Sequence, residues 1–82
     1  MAKIRKLEVE VRNMCCGHCA TNVSKSVKEI SGVREVDVDL REGLAFISID
    51  EKADMNRVIN NIREKITDLG YMVGEIKIIG GV

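Results

Sequence analysis

Val36-Asp37-Val38-Asp39-Leu40-Arg41-Glu42-Gly43-Leu44-Ala45-Phe46-Ile47-Ser48-Ile49 alternates aliphatic with charged or polar residues on either side of Glu42-Gly43. Val36, Val38 and Leu40 face one way and Asp37, Asp39 and Arg41 the other. Ala45, Ile47 and Ile49 then repeat the period of two, so the stretch predicts two strands joined by a tight turn. On both sides of this hairpin the period changes. Upstream, over residues 17–30, Ala20, Val23, Val27 and Ile30 fall at spacings of three and four, with Lys25 and Lys28 on other faces. That is an amphipathic helix, and Ser31-Gly32 ends it. Downstream, Asp54 is placed to cap a second helix whose apolar stripe is Met55, Val58, Ile59, Ile62 and Ile66. Gly70 supplies the left-handed residue that closes it.

At the outer ends alternation returns. Leu7, Val9 and Val11 oppose Glu8 and Glu10 over residues 5–11, a half-buried strand. A last strand is expected from about residue 72 to 79, with an inward set that the pattern does not define. The order is strand, helix, strand, strand, helix, strand. Two βαβ halves around a central hairpin predict an α+β, ferredoxin-like βαββαβ sandwich. It consists of a four-stranded antiparallel sheet with both helices on one face and the strands' polar residues on the other. The fold hosts many functions and chooses none of them.

With 82 residues, the chain has room for one core, so residues 1–82 are expected to form a single domain. Phe46 and Tyr71 are the only aromatics, which makes that core aliphatic. Lys plus Arg and Asp plus Glu number 13 each. This balance argues against nucleic acid, whose phosphates demand a basic excess, and no polybasic segment suits an acidic membrane surface. No apolar run approaches the roughly 20 residues that span a bilayer, so no membrane insertion is expected. The first ten residues lack the apolar block of a signal peptide, and the cytoplasm is the default compartment.

The three cysteines lie within Met14-Cys15-Cys16-Gly17-His18-Cys19, at the junction of the first strand and first helix. A disulfide there would close a loop too small to staple anything, and an odd number fits a disulfide framework poorly. In a reducing compartment the cluster points to metal or redox chemistry. Cys16 and Cys19 are three apart, a spacing that converges where a chain turns into a helix. Two thiolates on one turn can hold a single soft ion such as Cu(I), Zn(II), Cd(II) or Hg(II). The positive end of the helix favours such a dithiolate, and Gly17 allows the sharp entry.

Other readings compete. Buried cysteines acting as small hydrophobes would be scattered rather than clustered in a polar loop. Cys-Gly-His-Cys also occurs in disulfide isomerases of the thioredoxin fold, but that fold is larger and sets a cis-proline against the motif, and this chain has no proline. A structural zinc site needs two separated ligand pairs, and there is no distant Cys or His pair. His18, between the cysteines, is expected to point outward rather than ligate. Met14 offers a soft thioether, or plugs the core beneath the loop and pins it to the sheet.

Leu7-x-Val9 followed by Met14-x-Cys16-x-x-Cys19, with Ser31-Gly32-Val33 after the first helix and Leu69-Gly70-Tyr71 before the last strand, resembles the heavy-metal-associated domain. The resemblance covers essentially the whole chain. This module occurs as bacterial copper chaperones, as the mercury-carrier protein and in metal-exporting P-type ATPases. The resemblance implies that Cys16 and Cys19 are the metal ligands and that Met14 is the buried methionine under the loop. It also implies that Tyr71 shields the site, although Tyr71 also reads as a core aromatic beside Gly70. Two residues depart from the family's pattern. Asn13 stands where a glycine is usual, which is expected to alter loop flexibility only. Cys15 stands where copper carriers mostly have threonine or serine and zinc-exporting relatives an acidic ligand. Cys15 then either adds a third thiolate suited to Zn(II), Cd(II) or Hg(II), or is an exposed spectator, or bridges copper in a homodimer.

The expected function is a non-enzymatic, cytoplasmic Cu(I) carrier that passes its ion by thiolate exchange to a metal-exporting P-type ATPase or that pump's metal-binding domain. Arg12, His18, Thr21, Asn22 and Lys25 would form the docking patch. The alternatives are a regulatory metal-binding domain of such an ATPase, and a Zn, Cd or Hg carrier using Cys15.

Overall fold

The computed structural model describes residues 4–14 and 17–81. Its elements follow the expected order: β1 (Ile4–Arg12), α1 (Gly17–Lys28), β2 (Val33–Asp39), β3 (Leu44–Asp50), α2 (Met55–Asp68) and β4 (Met72–Gly81). The four strands form one sheet in the order β2-β3-β1-β4, and every neighbouring pair is antiparallel. This is the ferredoxin-like sandwich.

The period of two sets the buried face. Leu7 lies opposite Ile47 on one side and Ile78 on the other, and Val9 opposite Ala45 and Ile76. Leu7, Val9, Val11, Ala45, Ile47 and Ile49 are buried under Val23, Val27 and Ile30 at the first helix and Val58, Ile62 and Ile66 of α2. Among the described residues every buried side chain is aliphatic and none is polar. Burial of such side chains stabilises by about 1.5–3 kcal/mol each, which is why a chain this short can hold its fold.

Three local differences from the sequence pattern have physical causes. First, α1 stops at Lys28, yet Ile30 stays buried because its N–H donates to the Val27 carbonyl at 3.0 Å in a tighter final turn. Second, Leu40 does not continue β2. The Asp39 carboxylate accepts from the N–H groups of Arg41 (3.0 Å) and Glu42 (3.2 Å), turning the chain and leaving Leu40 exposed. Third, β2 starts at Val33, with a register shift between Val33 and Glu35 that hides the alternation there. Gly32, between α1 and β2, has φ +96°, and a Cβ on it would stand 2.7 Å from the Cβ of Ala53, so both conformation and space require glycine.

The inward set of β4 is also resolved. Val73 lies opposite Val11 and Ile76 opposite Val9, so β4 spends one residue more than β1 between them. A second shift follows between Lys6 and Leu7. These two bulges break the period of two and explain why the pattern gave no inward face for this strand.

Candidate metal site

β1 runs toward the cysteine cluster, and its pairing brings two other connections to the same end of the sheet. Glu10 lies opposite Leu44 at the start of β3, and Arg12 opposite Met72 at the start of β4. The Val11 N–H donates to the Gly43 carbonyl at 2.8 Å, tying the β2–β3 turn to the end of β1. The site end therefore consists of the β1–α1 loop, the β2–β3 turn and the α2–β4 connection.

Asn13 begins the loop with φ +74°, in the left-handed region where glycine is usual and asparagine is among the better tolerated alternatives. Asparagine at this position therefore occupies a backbone conformation that a glycine would also adopt freely. Met14 follows, half-buried and packed on the core cluster. Cys15 and Cys16 lie outside the described residues. The chain enters α1 at Gly17, with Gly17 and His18 exposed and Cys19 half-buried in the first turn. Thr21 donates its hydroxyl to the Gly17 carbonyl at 3.0 Å, one helical turn back. The positive end of the helix dipole makes a first helical turn favourable for anionic ligands such as a thiolate.

Tyr71 is delivered by the end of α2. Gly70, at φ +94°, donates its N–H to Thr67 O at 2.9 Å, and Tyr71 N–H donates to Ile66 O at 3.3 Å. This paired closure is the Schellman motif, which turns the next residue back against the helix. Tyr71 is accordingly half-buried and packed on the core at the site end. Of the residues singled out in the sequence, Met14, Gly17, His18, Cys19 and Tyr71 are thus brought to one end of the molecule.

Around the loop, Arg12, His18, Thr21, Asn22 and Lys25 are all exposed. Arg12 Nε also pairs with Glu10 Oε1 at 2.9 Å, an exposed contact that contributes little to stability. Two features of the site escaped the sequence reading: the bond from Val11 to Gly43 and the turn made by Asp39. The second had a signal, since aspartate at the head of a turn commonly accepts from the following N–H groups. Among the described residues, no helix is long and apolar enough to cross a membrane.

Comparison with known proteins agrees with this arrangement. The profile of the heavy-metal-associated domain matches residues 8–72. The copper chaperone CopZ of Enterococcus hirae is 36% identical over 66 residues, which span 80% of this chain and 91% of CopZ. A solved CopZ metallochaperone superposes with a TM-score of 0.74 at 30% identity, covering 84% of this chain and 98% of that one. A copper binding domain from HMA7, a P-type ATPase, superposes at 0.70 with 25% identity, covering 94% and 96%. Sheet order, loop placement and these matches converge: the chain belongs to the heavy-metal-associated domain family.

Proposed function

We propose that this chain is a cytoplasmic copper metallochaperone, which holds one Cu(I) between the thiolates of Cys16 and Cys19 and hands it to a related domain of a metal-exporting P-type ATPase. The observation that carries the reading is Cys19 in the first turn of α1, at an open end of a fold shared with CopZ over nine-tenths of that chaperone's length. Cu(I) is soft and accepts two thiolates, and a site with two ligands leaves the ion open to attack. A thiolate of the partner adds to the ion, a three-coordinate bridge forms, and one of the original thiolates leaves. No bond to carbon or phosphorus is broken, so the protein acts as a carrier and not as an enzyme. Met14 holds the loop against the core, Gly17 permits its entry into α1, and Tyr71 shields the thiolates. His18 and its exposed neighbours Arg12, Thr21, Asn22 and Lys25 meet the partner.

Competition titration with a Cu(I) chelator tests this. The parent chain should take up one Cu(I) per molecule, and the Cys16→Ser/Cys19→Ser variant should take up none. Equal binding by the two would remove the reading.

A second reading, a Zn(II), Cd(II) or Hg(II) carrier, is favoured by the third thiol at Cys15. Three thiolates suit these ions better than the two-coordinate preference of Cu(I). Cys15→Ser should leave Cu(I) affinity within about threefold on the first reading, and on the second should lower Zn(II) or Cd(II) affinity by about tenfold or more. The likeness to the HMA7 domain supports a third, in which the same site sits on a pump and regulates it.

A further inference from the structure

The sheet has two edges, and they differ. β2 carries Glu35, Asp37 and Asp39, which lie opposite Ser48, Phe46 and Leu44 on the face away from the helices. If two β2 strands met antiparallel with this face in common, acid would stand against acid. Such like-charge pairing guards an edge against self-association. β4 carries no such acidic row, and its two bulges leave Ile76, Lys77 and Ile78 as a regular run between them. Its exposed large apolar residues are Met72, Ile78 and Ile79, at 57%, 65% and 48%. Ile78, Ile79, Gly80 and Arg5 line a shallow surface depression.

Where the first bulge of β4 ends, the sequence reads Glu75-Ile76-Lys77. Glu75 and Lys77 share a face, with Lys77 Nζ 3.9 Å from Glu75 Oε2, and both are exposed. Two such strands meeting antiparallel about a two-fold axis at Ile76 would set Glu75 of each copy opposite Lys77 of the other. Moving the axis by one residue either way sets Lys77 against Lys77 or Glu75 against Glu75. Of these three registers charge favours the one centred on Ile76. That register also brings Ile78 and Ile79 of each copy beside Val73 and Gly74 of the other, which covers apolar surface that the single chain exposes.

We propose that β4 is a homodimerisation edge, at which two copies pair their β4 strands antiparallel about Ile76. The interface is isologous, as a two-fold axis requires. It is also small, so the dimer is weak and concentration-dependent. The pairing is between residues of β4 and needs no bound ion, which distinguishes it from a dimer bridged by copper.

Sedimentation of the full chain, with thiol reductant and excess Cu(I) chelator, tests this from about 10 μM to about 1 mM. The mass should rise from the 9.1 kDa of one chain toward twice that value. Lys77→Glu should raise the dissociation constant by about tenfold or more, and Glu75→Lys/Lys77→Glu should return it to within about threefold of the parent. Circular dichroism of each variant checks that the fold is kept. A chain that stays monomeric throughout would overturn the proposal. So would a dimer indifferent to Lys77→Glu, or a double variant as weak as the single one.

Discussion

Asn13 shows how one residue can shape the entry to the metal loop. Its φ of +74° costs an ordinary residue about 1–2 kcal/mol, less for asparagine, and little for glycine. Asn13→Ala should therefore destabilise by about 1 kcal/mol, lowering the melting temperature by about 4–8 °C, while Asn13→Gly should match the parent within about 0.5 kcal/mol. Thermal unfolding followed by circular dichroism checks both. An alanine variant as stable as the parent would mean that the loop readily adopts another conformation. The sequence signalled this position only through its departure from the family's glycine. No periodicity covers a single turn residue, and a left-handed backbone is visible only in the folded connection between β1 and α1. Of Cys16 and Cys19, read as a candidate pair from their spacing and their place before a helix, the described residues include Cys19 alone, in the first turn of α1.

Among the elements, α2 was read most completely. Asp54 caps it as expected, its carboxylate accepting from Asn56 N–H at 3.1 Å and Arg57 N–H at 3.4 Å. Gly70 ends it. Asp54→Ala should cost about 1 kcal/mol, and Asp54→Ser or Asp54→Asn should recover most of that. Chemical denaturation of the three variants measures the difference. An alanine variant equal to the serine one would show that the cap hydrogen bonds contribute nothing net. The helix stripes and the alternation of β1 and β3 were plain for the same reason: one face of each meets the core along its length. β4 was not, because its two bulges shift the inward set twice within ten residues. Leu40 was misread since a side-chain hydrogen bond from the backbone to Asp39 ends the strand before the apolar pattern does.

For the whole molecule, stability rests on a core with no polar anchor among the described residues. Ile62 lies at 0% exposure on α2 beneath the sheet. Ile62→Ala should cost about 2–5 kcal/mol, a large share of the about 5–15 kcal/mol available to a domain. Urea unfolding should show the midpoint falling with little change in slope. If the cost were under about 1 kcal/mol, the core would be loosely packed at that point, contrary to its full burial. The four-stranded antiparallel sheet was implied by the βαββαβ sequence of elements, whereas its strand order and the meeting of three connections at the site end became evident only from the strand register.

The placement of β1 has a consequence for timing. It is a central strand, hydrogen-bonded on both sides, and the cysteine loop hangs from its end. Amide protons of Leu7 and Val9 should exchange with solvent only through global opening. The strand that leads to the site end should then hold its position for as long as the domain stays folded.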